Sequence, residues 1–230
     1  MFLAEGPRVV ADLLRTNIRV HQALYTKAAS ADPAVASAVE ALRSAEVSVE
    51  QVSGAELAEF AGTVTPQGLL AVAEIPSWSL ADVRTPRLAV LDAVQDPGNV
   101  GTLIRAAEAL GAGGVALLPG TADAWNPKTV RAATGSSFRL PVFETTVSAL
   151  VDWCRDQGAA LLASDANGEP ARRDLAPSGV ALVLGNEGAG VSAEVLDAAT
   201  GVVGVPLLAG TDSLNVAIAG AILMDRMFGG

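Results

Sequence analysis

Hydrophobic positions divide the chain into two patterned stretches joined by one without a clear period. In the first, Phe2-Leu3-Ala4 reads as a strand, and Gly6-Pro7 turns into a helix over Arg8–Arg15 with Val9, Val10, Leu13 and Leu14 inward. Ile18–Tyr25 alternates as a strand. Asp32-Pro33 is an N-cap followed by a proline at the first helical position, which predicts a helix to about Ala45. A strand at Val47–Val52, a short helix at Gly54–Phe60 and a strand at Leu69–Ile75 complete a small α/β unit, residues 1–75, with its own core. Residues 76–86 (PSWSLADVRTP) are bracketed by prolines and read as a linker, with Trp78 packing on a neighbouring unit.

From Arg87 strands and helices alternate. The strand Leu88–Val94 feeds a helix Asn99–Leu110, for which Asn99 is the expected N-cap and Gly111 the stop. Leu103, Ala106, Ala107 and Leu110 form its apolar face. A strand at Gly114–Leu118, a helix from Asn126-Pro127 to Ala133, a short strand at Pro141–Phe143 and a helix at Val147–Gln157 follow. Ala159–Ser164 and Gly179–Leu184 are strands, the second apolar throughout and so expected to be buried on both faces. Ser192 caps a helix to about Ala199, Val202–Pro206 is a short strand, and a helix runs from about Ser213 to Phe228 with Asn215 in its first turn. This alternation predicts a parallel-sheet α/β domain over residues 87–230.

Half of the 230 residues are hydrophobic, enough for a sizeable core. No run approaches the roughly 18–20 apolar residues that cross a bilayer, and Glu5 and Arg8 interrupt any signal-peptide pattern. A soluble, cytoplasmic protein is expected. The single cysteine, Cys154, excludes an internal disulfide and reads as core filler. The single histidine, His21, leaves little for Ser-His-Asp chemistry or a metal site, so no metal is expected. The net charge of −10 gives no global attraction to nucleic acid. An RNA partner would need a local basic patch, for which Arg8, Arg15, Arg19, Lys27 and Arg43 are candidates.

Three turns carry candidate chemistry, each after a strand, where α/β sheets bind ligands. The first, Asp96-Pro97-Gly98, delivers Asn99 and, six positions on, Arg105, the one basic residue of its helix. The second, Gly185-Asn186-Glu187-Gly188-Ala189-Gly190, has three glycines that let a ligand approach the backbone, and one charge, Glu187. It is neither GxGxxG nor a P-loop, which lowers a nicotinamide or ATPase reading. The third, Leu207 to Asn215, ends in an expected cap at Asp212 or Ser213.

The segments NVGTLIRAAEALG, LVLGNEGAGVS and VPLLAGTDSLNVAIAGAIL resemble, in order, the three signature motifs of the SpoU/TrmH family of RNA 2′-O-ribose methyltransferases, in the SPOUT superfamily. The intervening NPKTVRAATGSSFRLPV is similar to the family segment after motif one, and residues 1–75 resemble its small ribosomal-protein-like RNA-binding domain. The resemblance implies a deep trefoil knot that holds S-adenosylmethionine, and a homodimer with the site near the two-fold. It assigns Asn99 and Arg105 to the target ribose and phosphate, Glu187 to orienting the arginine, and Ser213 and Asn215 to the polar pair of motif three. Leu184, Gly185, Glu187, Val205, Pro206, Leu207, Ser213 and Leu214 are implied cofactor contacts, and Lys128 and Arg131 implied RNA contacts. Family members usually carry a basic stretch ahead of the segment that here begins Phe2-Leu3-Ala4-Glu5-Gly6, so a phosphate-gripping arm is expected to be missing from this sequence.

The reaction implied is in-line displacement of a methyl group by a ribose 2′-oxygen of RNA, ribosomal rather than transfer RNA. Arginine stays protonated to above about pH 12, so Arg105 is expected to clamp the neighbouring phosphate and stabilise developing charge rather than act as the base. The alternatives are a tRNA 2′-O-methyltransferase, a non-catalytic RNA-binding or assembly factor with the same fold, and an unrelated α/β enzyme with a nucleotide cofactor.

Overall fold

The computed structural model describes residues 1–61, 66–176, 178–208 and 213–229. Its first sheet has strand order β1-β4-β2-β3, formed by β1 (Phe2–Glu5), β2 (Val20–Thr26), β3 (Ser48–Val52) and β4 (Leu69–Ala73). Helices α1 (Pro7–Leu13), α2 (Pro33–Ser44) and α3 (Gly54–Phe60) accompany it. The Asp32 carboxylate accepts from the Ala34 N–H, so the cap read from Asp32-Pro33 is present. The core of this unit is built mostly from its own residues and is extended by the second unit. Phe2, Ala4 and Val10 pack with Val130 and Phe138 from the second unit, and Phe2 lies 4.7 Å from the Trp125 ring. Trp78 packs inward, 6.3 Å from Trp125.

The second sheet has the order β10-β8-β9-β5-β6-β7, all parallel. Its strands are β5 (Arg87–Leu91), β6 (Gly114–Leu117), β7 (Val142–Glu144), β8 (Ala160–Pro170), β9 (Val180–Leu184) and β10 (Gly201–Gly204). Alternate residues of β5 feed opposite cores, Ala89 and Leu91 on one face, Leu88 and Val90 on the other. Helices α4 (Pro97–Ala109), α5 (Pro127–Ala133) and α8 (Val216–Phe228) cover the first face, and α6 (Val147–Gln157) and α7 (Ala193–Ala198) the second. Glycines on α4 and α8 allow close helix packing. A Cβ on Gly101 would sit 2.4 Å from the Thr129 carbonyl of α5, and one on Gly220 would sit 2.4 Å from Leu103 Cδ2 and 2.7 Å from Leu184 Cδ1.

Several boundaries differ from expectation for a physical reason. Asp96, not Asn99, caps α4, its Oδ1 accepting from Gly98 and Asn99 N–H. Pro97 takes the first helical position, so Asn99 moves inside the first turn. Asn215 moves the other way: α8 starts at Val216, and Asn215 Oδ1 accepts from Ala217 and Ile218 N–H. Ser213 is therefore no cap, and Asp212 lies outside the described residues. Ser192 stands at the cap position of α7 without a side-chain bond; its N–H donates to buried Asp92 at 2.7 Å. Strand β8 runs six residues past the expected Ser164, but its pairing with β10 jumps from Ala163 to Glu169, so residues 164–168 bulge out.

Candidate functional site

At the carboxyl ends of β5, β9 and β10, beside the β8 bulge, described residues of the three turns meet. Glu187 Oε1 accepts from Asn99 Nδ2 at 2.9 Å, and Asn99 Oδ1 accepts from Asn215 Nδ2 at 3.1 Å. One hydrogen-bonded line thus joins an acid from the turn after β9, an amide from the first turn of α4 and the capping amide of α8. Each amide nitrogen uses one of its two N–H groups in this line, leaving one to donate elsewhere. Asn186 holds the β9 turn in shape: its Oδ1 accepts from Gly188 and Ala189 N–H, and its Nδ2 donates to the Ala93 carbonyl. Ala93 has φ 55°, a left-handed conformation unusual for alanine, at the bend that leads into α4.

Partial burial works to raise the Glu187 pKa. Hydrogen bonds from Asn99 and from the backbone N–H groups of Glu187, Gln95 and Asp96 outweigh it, so the carboxyl lies below the usual range and is ionised at neutral pH. Asp96 is lowered as well, chiefly by the Lys128 ammonium bonded to it at 3.0 Å.

Beside this line is a cavity of about 330 Å³, within the size range of small-molecule sites. Leu184, Gly185, Glu187, Val205, Leu207, Ser213 and Leu214 line it; Pro206 does not. Ser164, Asp165 and Ala166 from the β8 bulge also line it, and the sequence reading missed them. The available signal was Asp165-Ala166-Asn167-Gly168, turn chemistry behind an apolar strand like that of the other three turns. The lining holds two carboxylates, Asp165 and Glu187, and no lysine or arginine among the described residues. Backbone N–H groups of Val205, Leu207 and Leu214 donate to no described residue. A cavity of this make-up suits a cationic ligand with hydrogen-bonding edges. It opposes a polyphosphate, which needs cations or a helix N-terminus.

The other predicted site residues lie apart from this cluster. Arg105 is exposed, six residues and hence about 9 Å along the α4 axis from Asn99, and makes no hydrogen bond or ion pair among the described residues. Glu187 therefore bonds Asn99 rather than Arg105. Lys128 is half-exposed on Asp96. Arg131 points back to the first sheet, 3.5 Å from buried Glu5, with two thirds of its side chain covered. Among the described residues there is no group of three or more His, Cys, Asp or Glu placed to hold a metal, and no helix is long and apolar enough to cross a membrane.

Comparison with known proteins agrees with this architecture. Residues 3–79 match the RNA 2′-O ribose methyltransferase substrate-binding family. A 23S rRNA (guanosine(2553)-2′-O)-methyltransferase of Bacillus subtilis is 36% identical over 229 residues, 99% of this chain and 88% of the relative. The AviRb SpoU methyltransferase of Streptomyces viridochromogenes, solved with the cofactor AdoMet, superposes with a TM-score of 0.84 at 29% identity, covering 98% of this chain and 88% of that one. An AdoMet-bound rRNA methyltransferase from Sinorhizobium meliloti gives 0.83 at 30% identity, over 98% and 85%. Residues 86–225, more than half of the chain, match the SpoU rRNA Methylase family, and the chain belongs to that family.

Proposed function

We propose that this protein transfers a methyl group from S-adenosylmethionine to a ribose 2′-hydroxyl of ribosomal RNA. The observation that carries the reading is the Glu187–Asn99–Asn215 line beside a cavity whose charged lining, among the described residues, is two carboxylates. S-adenosylmethionine has a sulfonium and an ammonium, which Glu187 and Asp165 complement, and an adenine whose edge can meet the N–H groups of Val205, Leu207 and Leu214, which have no partner among the described residues. When bound it supplies a methyl group already activated by the positive sulfur.

The chain's own residues then align and stabilise. The spare N–H groups of Asn99 and Asn215 point the 2′-oxygen, and Glu187 locks Asn99 so that its amide cannot rotate. Arg105 stands outside the hydrogen-bonded cluster, at a distance that suits the phosphate next to the target ribose. There its fixed charge anchors the strand and stabilises negative charge growing on the 2′-oxygen. Residues 1–75 serve as the RNA-binding domain, 76–86 as the linker and 87–230 as the methyltransferase domain, threaded in the family's trefoil knot. The chain acts in the cytoplasm as a homodimer; exposed Leu208 and Ile218, flanking the site, supply apolar surface for the contact.

The RNA substrate is ribosomal: two relatives whose printed names give a target nucleotide, those of B. subtilis and S. viridochromogenes, act on 23S rRNA. Calorimetric titration tests the cofactor half of the reading. S-adenosylmethionine is expected to bind one per chain, weakly in Asp165→Asn, while NAD and ATP give no heat. Binding of ATP in place of S-adenosylmethionine would overturn it.

A further inference from the structure

The chain is acidic, yet its charges are sorted. Among the described residues, the charged groups lining the cofactor cavity are both carboxylates, whereas a second cavity, of about 630 Å³, is lined by Arg19, Arg84 and Arg139 with one acid, Glu74. It lies between the two units, among the Thr16–Arg19 turn of the first, the Glu74–Trp78 segment and the Phe138–Arg139 turn of the second. Half-buried Trp78 supplies its aromatic wall, with the edge of buried Phe138 beneath, and Asn17 and Ser77 add hydrogen-bonding groups.

The three arginines are not equivalent. Arg139 is held by Glu108 through two bonds, Nε to Oε1 at 2.6 Å and Nη2 to Oε2 at 2.8 Å, with Asp12 nearby. Arg19 and Arg84 make no side-chain hydrogen bond or ion pair among the described residues, although Arg84 is near enough to Glu108 to help lower its pKa. Glu74 faces His21 at 4.0 Å. Two unpaired guanidinium groups beside a third that is fixed, in a cleft with an aromatic wall, match the recognition of unpaired nucleotides: phosphates on arginines, a base or ribose face on the ring.

We infer that this inter-unit cleft seats a single-stranded segment of the ribosomal RNA substrate, with Arg19 and Arg84 on successive phosphates. The inference rests on the RNA reading above but names a surface which that reading leaves open. Of the five basic residues read from sequence as a patch, only Arg19 lines the cleft. Arg84 and Arg139 come from beyond the first unit, so the seat exists only when the two units are docked.

The test is binding of a labelled 23S rRNA transcript by fluorescence anisotropy across a salt series, for the wild type, Arg19→Ala/Arg84→Ala and a charge-matched control, Arg155→Ala/Arg172→Ala. The cleft variant is expected to bind on the order of tenfold more weakly, with the log–log salt slope reduced by about 1.4–1.8, the value for two lost phosphate contacts. The control is expected to keep most of the affinity and slope. Calorimetry with S-adenosylmethionine is expected to be unchanged in all three, which shows each is folded. Equal losses in both variants, or none in the cleft variant, would overturn the cleft while leaving the methyltransferase reading intact. Absence of RNA binding by the wild type would overturn both.

Discussion

Asn99→Asp exchanges one NH2 group for an oxygen and keeps the shape of the side chain. The exchanged atom is the donor that reaches Glu187 Oε1 at 2.9 Å. The variant replaces a charge-assisted hydrogen bond by a contact between two carboxylates. At about 4 Å, like charges repel by about 1 kcal/mol in water and about 4 kcal/mol at an effective dielectric near 20. Glu187 is exposed, so the lower part of that range applies, about 1–2 kcal/mol, and loss of the hydrogen bond adds about 1–2 kcal/mol. If the whole penalty falls on alignment, single-turnover methyl transfer slows by about 30- to 1,000-fold.

The pH dependence separates this explanation from simple disruption. In the wild type the Glu187 pKa is lowered, so the carboxylate stays charged as pH falls until well below the usual range, and the Asn99 bond is kept. In the variant the pair shares one proton as pH falls, which restores a hydrogen bond between the two groups. The ratio of variant to wild-type rate is therefore expected to rise as pH is lowered from about 8.5 to about 5.5. Asn99→Ala loses the whole amide, its bonds to Glu187 and Asn215 and its spare N–H, but adds no charge, so its defect is expected to show a flat ratio. The assay is transfer of tritiated methyl to 23S rRNA with enzyme in excess. An Asn99→Asp enzyme with a near wild-type rate, or a defect that does not ease at low pH, would refute the role given to the Asn99–Glu187 contact.

Arg105→Lys keeps the charge but loses the two-pronged geometry, and is expected to lower single-turnover transfer by about tenfold or more; a wild-type rate would sink the phosphate clamp. Gly220→Ala drives a methyl group into Leu103 and Leu184 between α8, α4 and β9, at an expected cost of about 1–3 kcal/mol in denaturant unfolding; unchanged stability would show that this packing yields freely. Arg131→Ala removes the cation that faces buried Glu5 and is expected to destabilise by about 2 kcal/mol with RNA affinity nearly unchanged, whereas intact stability with weakened RNA binding would make Arg131 an RNA contact instead. Burial pushes the Cys154 thiol up to about 11, so the folded protein is expected to resist iodoacetamide near pH 8, where about one thiol in a thousand is ionised; rapid labelling detected by mass spectrometry would contradict the packing of α6.

The alternation of strands and helices from Arg87 onward was legible because the strands, the polar second half of β8 apart, are short apolar runs bounded by turn residues, and the sheet order is consistent with it. The three turns were legible for the same reason. What sequence could not show is which amide caps which helix. Asp96 and Asn99 are both good capping residues three positions apart, and only Pro97 at the first helical turn decides between them, freeing Asn99 to reach Glu187. At α8 the same competition goes to Asn215, which both caps the helix and touches Asn99. Asp165 escaped notice because its strand pairs with β10 on both sides of a bulge, and the bulge, not the strand end, faces the cavity. The shared core of Phe2, Val130 and Phe138, and the direction of Arg131, depend on how the two units dock, which no local pattern encodes.

The most direct test of the central claim uses the chemistry of the product. Alkaline cleavage of RNA needs a free 2′-hydroxyl, so a 2′-O-methylated ribose survives as a resistant dinucleotide. After incubation with tritiated S-adenosylmethionine and 23S rRNA, label is expected in one alkali-resistant dinucleotide. Asn99→Asp is expected to release that product far more slowly. Label in alkali-labile mononucleotides would place the methyl group on a base, and would contradict the assignment of the Glu187–Asn99–Asn215 line to a ribose 2′-oxygen.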